Sequence, residues 1–118
     1  MTRNELTYQV KRSVKSIDPK ASVYLFGSKA RGDESSYSDW DFLILTSKEA
    51  TEKNKKEIRA SLIDAELESE QVISTLIYSK ATWDNYKNTL LYKNIKRDGI
   101  EIWAIIKRSQ FFKFYIKT

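Results

Sequence analysis

Apolar residues recur at helical spacing near the start of the chain. Leu6, Val10, Val14 and Ile17 fall on one stripe, with Lys11, Arg12 and Lys15 mostly off it. Thr2 and Glu5 stand at the spacing of a capping box, so a helix is predicted to begin there. Asp18-Pro19 ends it, because the residue before a proline is pushed out of the helical region. The period then changes. Ser22-Val23-Tyr24-Leu25-Phe26 is rich in β-formers and is stopped by Gly27. After a polar stretch from Ser28 to Ser38, a second strand runs from Asp41 to Thr46. Its continuous apolar run, Phe42-Leu43-Ile44-Leu45, predicts burial on both faces.

Further along, Thr51 to about Glu68 reads as a charged helix with Ile58, Leu62 and Ala65 facing inward, and Gln71 to Tyr78 as a third strand. Ser79 stands where it can cap a helix through Trp83 and Tyr86. Thr89 can cap another, which ends at Asp98-Gly99 with glycine as the stop. Trp83, Tyr86, Leu90, Leu91 and Tyr92 are expected to pack the core or cover the sheet, and Lys93, Lys96 and Arg97 to form a solvated face near a helix C-terminus. Ile100 to Ile106 reads as a fourth strand. The aromatic tail, Phe111 to Ile116, reads as an edge strand packed on the body, with a docking segment for a second subunit as the alternative. This order of elements predicts an α+β fold, one layer of helices packed against a mixed β-sheet in the manner of an α/β sandwich.

The chain of 118 residues is one domain's worth, 1–118, with no internal repeat or low-complexity linker. Apolar residues make up 41%, a globular composition. No run of about 18 apolar residues occurs, so no membrane span is expected, and the first residues lack the apolar stretch of a signal peptide. The expected compartment is the cytoplasm. Cysteine and histidine are both absent. That excludes disulfides and thiolate metal sites, and removes the commonest general base and the usual zinc ligand. Any metal must be held by carboxylates, which favours a hard ion such as Mg²⁺ or Mn²⁺. The net charge of +5 suits a polyanionic partner, but the lysines are spread over several segments, which favours a solvated surface over a nucleic-acid interface.

Candidate chemistry is concentrated in one short stretch. Gly27-Ser28 stands at the end of the first strand. A glycine lets backbone approach a ligand closely, and a short helical turn starting at Ser28 would present N–H groups to phosphate oxygens. The Ser28 hydroxyl can add a hydrogen bond, and Arg31 a planar cationic fork. At the mouth of the second strand stand Asp39 and Asp41. Residues two apart on a strand share a face, so both carboxylates point the same way while Trp40 alternates away toward the core. Two close like charges are costly unless a cation neutralises them, and a divalent metal is the natural solution. Ser38, a loop serine just before the pair, says little by itself.

The string Gly27-Ser28-Lys29-Ala30-Arg31-Gly32, a short spacer, then Ser38-Asp39-Trp40-Asp41-Phe42 resembles the signature of the minimal nucleotidyltransferases of the DNA polymerase β superfamily, of the MntA-like antitoxin type. The resemblance covers the chain from the first helix to about Gly99 and leaves 100–118 outside it. It implies that Asp39 and Asp41 are catalytic and ligate Mg²⁺ or Mn²⁺. It further implies that Gly27, Ser28 and Ser38 bind the nucleotide, ATP or another NTP. Arg31 matches a nucleotide-site position and also reads as a salt bridge that fixes the loop. Transfer of NMP, with AMP from ATP foremost, to a hydroxyl of a protein or small molecule would follow. The resemblance also implies a HEPN-type partner protein, with the small transferase as the antitoxin of the pair.

One feature departs from that signature, in which a third carboxylate stands on the next strand. Here Gln71 to Tyr78 contains no Asp or Glu, and Ser74 falls where the acid is expected; Glu68 and Glu70 lie upstream and could reach only in another register. Two readings therefore stand beside each other. One is a transferase, weak or completed by a partner. The other is a nucleotide-binding domain that acts by contact alone.

Overall fold

The capping box forms as its spacing predicts. The Glu5 N–H donates to Thr2 Oγ1 at 3.1 Å and the Thr2 N–H to Glu5 Oε1 at 2.7 Å, opening α1 (Arg3–Ile17). Leu6, Val10 and Val14 are buried along its inner stripe. The computed structural model describes residues 1–32 and 38–102. Within them follow β1 (Ser22–Phe26), α2 (Ser28–Arg31), β2 (Trp40–Thr46), α3 (Glu52–Ser61), α4 (Ile63–Ser69), β3 (Ile73–Ser79), α5 (Lys80–Trp83), a 3₁₀ turn Asp84–Tyr86, α6 (Leu90–Asp98) and β4 (Ile100–Glu101).

The strands form one mixed sheet in the order β3-β2-β1-β4. The β1–β2 and β1–β4 pairs are antiparallel, and the β2–β3 pair is parallel. A parallel pair needs a long crossover, which α3 and α4 supply. The apolar run of β2 is buried on both faces, as its lack of alternation predicts. Phe42 and Ile44 share a core cluster with Leu6, Val10 and Val14 of α1, Ile58 of α3, Leu62 at the junction of α3 and α4, and Ala65 of α4. Leu43 and Leu45 meet Trp83 and Ile95, with Leu91 and Tyr92 packed beside them. Burying each of these four β2 side chains contributes about 1.5–3 kcal/mol.

The second cluster corrects the expectation of one helical layer: α5 and α6 cover the opposite face of the sheet. There Trp83 stacks at 5.1 Å from Tyr78 and 5.0 Å from Tyr92. Leu90 departs from its expected packing role and is 74% exposed at the first turn of α6. The helix predicted from Thr51 to about Glu68 is two helices that meet at Leu62. The Leu62 N–H turns back to Arg59 O at 3.1 Å, a tightened turn that breaks the ladder while keeping Leu62 and Ala65 in the core.

Thr51 and Thr89 cap their helices through side-chain oxygens, whereas Ser79 takes the cap position without that bond and its hydroxyl pairs with Thr82 Oγ1 at 2.8 Å. Gly99 ends α6 as predicted, in extended backbone. A Cβ there would stand 2.5 Å from Ile95 O, so close approach is what requires glycine. Of the predicted fourth strand, Ile100 and Glu101 pair with Leu25 and Tyr24. Positions 103–106 and the aromatic tail at 111–116 lie outside the described residues. No helix among the described residues is long and apolar enough to cross a membrane.

Candidate active site

The chemistry-bearing residues gather where β1 ends and β2 begins. The β1–β2 register sets Phe26 opposite Asp41, so the turn that follows Phe26 folds over the Asp41 side chain. Gly27 makes that turn at φ +76°, in the left-handed region that favours glycine. A Cβ added there would lie 2.3 Å from Asp41 Oδ2, so the backbone of Gly27 rests against the carboxylate. Two independent constraints thus demand glycine: its backbone conformation and the carboxylate beside it.

Gly27 is the N-cap of α2, and the N–H groups of Ala30 and Arg31 both donate to its carbonyl at 3.1 Å. Ser28, half-buried, opens that single turn, and its carbonyl accepts the Gly32 N–H at 3.0 Å. Asp41 follows the buried Trp40 on the face of β2 that also carries Leu43 and Leu45. Asp39 is exposed just before the strand, and Ser38, half-buried, precedes it.

The electrostatics join these residues. Burial pushes the Asp41 carboxyl above its ordinary range, the charge of Asp39 pushes it further, and the Arg31 guanidinium offsets part of the rise. Arg31 also contributes to holding Asp98, at the end of α6, below its usual range, after the hydrogen bonds from Arg97. Its charge therefore acts on both the site and the helix end beside it. Of the residues singled out from the sequence, Gly27, Ser28, Arg31, Asp39 and Asp41 are brought together, with Ser38 adjoining them in the chain.

The third-acid position is equally plain. The parallel register sets Ser74 opposite Asp41. Glu68 accepts a 2.6 Å hydrogen bond from Gln9 Nε2 of α1, and Glu70 caps α4 in left-handed backbone at φ 56°. Neither joins the pair. Among the described residues no group of three or more carboxylates could hold a metal ion.

Lys29, which no sequence signal marked, is 5% exposed, with its ammonium 4.9 Å from the centre of the Trp40 ring. Its place beside Ser28, and that of Trp40 between the two aspartates, were the hints available.

The model of the nucleotidyltransferase domain matches residues 8–102. A protein of Methanocaldococcus jannaschii whose name assigns it to the protein adenylyltransferases, MJ0141, is 32% identical over 100 residues, covering 83% of this chain and 96% of that protein. Two solved structures share the fold. One, a toxin–antitoxin with AMP-PNP, superposes with a TM-score of 0.59 at 19% identity, covering 98% of this chain and 83% of that one. The other, a mutant of the toxin–antitoxin MntA–HpeT, gives 0.59 at 18% identity, covering 88% and 73%. A family match over residues 8–102 and a relative 32% identical over most of both chains show that the chain belongs to the nucleotidyltransferase domain family.

Proposed function

We propose that this domain transfers AMP from ATP to a hydroxyl of a protein acceptor, using a divalent cation held by Asp39 and Asp41. The observation that carries the reading is the packing of the Gly27 turn against Asp41, with Asp39 on the same side of the strand mouth. The donor set suits a hard cation. Asp41 is partly desolvated and repelled by Asp39, a debt of charge that Mg²⁺ or Mn²⁺ would cancel. Two carboxylates leave the remaining coordination positions to phosphate oxygens and water, a usual arrangement for Mg²⁺. When bound, the ion would neutralise charge on the phosphates and on the leaving group.

The chain's own groups have separable tasks. The Gly27 turn and the Ser28 hydroxyl would receive the terminal phosphates, and Ser38 would border the nucleotide. Arg31 would add positive charge at the rim while fixing α2 against the end of α6. In the reaction the acceptor oxygen forms a bond to the α-phosphorus. The bond from that phosphorus to the bridging oxygen breaks, and pyrophosphate leaves with the electron pair. The acceptor proton passes to solvent or to a carboxylate of the site. The adenylyltransferase name of the Methanocaldococcus jannaschii relative supports AMP as the transferred group and protein as the acceptor. The toxin–antitoxin structures support a protein partner, here read as a HEPN-type toxin, with this domain as its antitoxin.

Ser74 opposite Asp41 favours a second reading. With two carboxylates instead of three, the domain would bind nucleotide and act on its partner by contact. Incubation with ATP, Mg²⁺ and the partner, read by intact mass, separates the two. Addition of one AMP to the partner, lost in Asp39→Asn/Asp41→Asn, supports transfer. A stable complex with no mass change, retained in the double variant, favours contact.

A further inference from the structure

The residues beside the functional ones meet on the far side of the sheet. Lys29 follows Ser28, and Trp40 separates Asp39 from Asp41. Side chains alternate across a strand, so Trp40 leaves the site face and enters the core with Phe42 and Ile44, where it is 8% exposed. Lys29 leaves α2 toward that same side and places its ammonium 4.9 Å from the Trp40 ring centre, at cation–π distance. The indole N–H of Trp40 donates to Gln71 Oε1 at 3.2 Å, and the Trp40 backbone N–H to Val72 O at 2.9 Å. Trp40 is thereby tied on one side to α2 and on the other to the segment that opens β3.

Lysine is among the side chains least often buried, yet Lys29 is 5% exposed. The charges that move Asp41 are those of Asp39 and Arg31. Lys29 contacts the indole ring of the residue that separates the two aspartates. Its anchor lies one residue from the serine of the turn. The ring it contacts lies one residue from each aspartate.

We propose that Lys29 and Trp40 are positioning residues. They form a cation–π clamp behind the sheet that sets the distance between the Gly27-Ser28 turn and the Asp39/Asp41 pair. The short α2 contributes a single turn of helix, too little to fix its own orientation, and the ring contact supplies a fixed point. Gln71 holds the outer edge of the indole, so the clamp runs from α2 through β2 to the start of β3, where Ser74 stands beside Asp41. Its consequence for affinity rests on the nucleotide-binding reading above; its consequence for geometry does not.

The test uses the full chain and the variants Lys29→Met, Lys29→Arg, Trp40→Leu and Trp40→Phe. Each is titrated below its melting temperature with a non-hydrolysable ATP analogue in Mg²⁺. Lys29→Met and Trp40→Leu should each weaken binding about tenfold, and the double variant little further, since both remove one contact. Lys29→Arg, whose guanidinium also stacks on indole, should stay near wild type. Trp40→Phe, which keeps a ring and loses the bond to Gln71, should fall between. Backbone amide resonances of Gly27, Ser28, Asp39 and Asp41 in the ligand-free protein give an independent readout: they should move in Lys29→Met and return toward wild type in Lys29→Arg. Wild-type affinity and unmoved resonances in Lys29→Met, whatever happens to its melting temperature, overturn the clamp and leave Lys29 as packing. Absence of binding in the wild type, with the resonances still moving as stated, leaves the clamp standing and overturns the nucleotide reading instead.

Discussion

Two aspartates mark the two ends of the sheet, and their surroundings are opposite. Asp18, beyond the last turn of α1, is 2% exposed and its carboxylate is saturated with donors. Ser47, just past the end of β2, gives its N–H to Oδ2 at 2.8 Å and its hydroxyl to Oδ1 at 2.7 Å, and the Lys20 N–H reaches Oδ1 at 3.2 Å. Burial alone would push its carboxyl up. The bonds from Ser47 and Lys20, with the charge of Lys48, outweigh that push and hold it below the ordinary range. Asp41, at the start of the same strand, is pushed the other way by burial and by Asp39. One carboxylate ties α1 to the exit of β2. The other is held in a state that a cation would relieve. Residue type is the same; the difference lies in whether the fold brings donors or a second negative charge.

The sharpest way to break this comparison is to remove the negative pair. Asp39→Asn/Asp41→Asn keeps the shape of both side chains and deletes their charge. Mg²⁺-dependent binding of the nucleotide analogue, followed by calorimetry, should drop below detection while the circular dichroism spectrum stays that of the wild type. Retained metal-dependent binding would remove the basis for assigning the cation to this pair.

Next in size is the turn that covers Asp41. Gly27→Ala must place a Cβ at positive φ and 2.3 Å from Oδ2, so either the turn or the carboxylate has to move. We expect a stability loss of about 1–3 kcal/mol in urea melts, together with a large loss of nucleotide affinity. Gly32→Ala serves as the control. Gly32 also has positive φ, +82°, but no atom of the described residues within 4 Å of its Cβ position, so it should show the backbone strain without the loss of affinity. Equal affinity losses in the two variants would mean that contact with Asp41 is not the cause.

At the other end, Asp18→Ala strips three hydrogen bonds from a charged acceptor and leaves the Ser47 donors without it. A loss of about 3 kcal/mol is expected, a fall in melting temperature of roughly 10–20 °C. The affinity of the folded fraction for nucleotide should be untouched, because the site lies at the opposite end of β2. The pH dependence has a fixed sign. The Asp18 carboxyl is lowered in the folded state, so its stabilisation is present above the unfolded value of about 4 and is lost as pH falls through the lowered folded value. The wild type and the variant should therefore converge in strongly acidic solution, a convergence that melts at stepped pH would reveal.

These two aspartates also show what was legible beforehand. Asp41 was singled out as a candidate because its signal is local: a carboxylate two positions from another, at the mouth of a strand, after a strand that ends in Gly-Ser. The helix starts at Thr2, Thr51 and Thr89 and the doubly buried β2 run were legible for the same reason, since caps and periodicity act within a few residues. Asp18 read only as a helix end, because its partner Ser47 lies 29 positions away. Lys29 was not singled out, because nothing near it in the chain tells of the Trp40 ring. The cover of the second sheet face by α5 and α6 was missed likewise: the amphipathic pattern says that a helix has an apolar face, not which face of the sheet receives it. Gly99 was read correctly as a stop, while the close approach to Ile95 O that requires glycine there shows only in the folded turn.

The smallest effect is the most discriminating in sign. Asp41→Asn alone, without divalent cation, should leave the protein as stable as wild type near neutral pH, or slightly more so. The argument follows from linkage. A carboxyl raised in the folded state favours folding when protonated, and that advantage, full below the unfolded value of about 4, is lost as pH rises through the raised folded value. At neutral pH the ionised Asp41 thus weighs against the fold, and an uncharged amide of the same shape removes the burden. Asp18→Asn, the same chemical change at the satisfied carboxylate, should instead destabilise, since its amide nitrogen donates and cannot replace a carboxylate oxygen that accepts from Ser47. Adding Mg²⁺ with the nucleotide analogue should reverse the order at position 41, because ligand binding stabilises only the protein that retains the carboxylate. If Asp41→Asn destabilises the metal-free protein as Asp18→Asn does, Asp41 is a structural acceptor like Asp18, and the contrast between the two ends of the sheet is withdrawn.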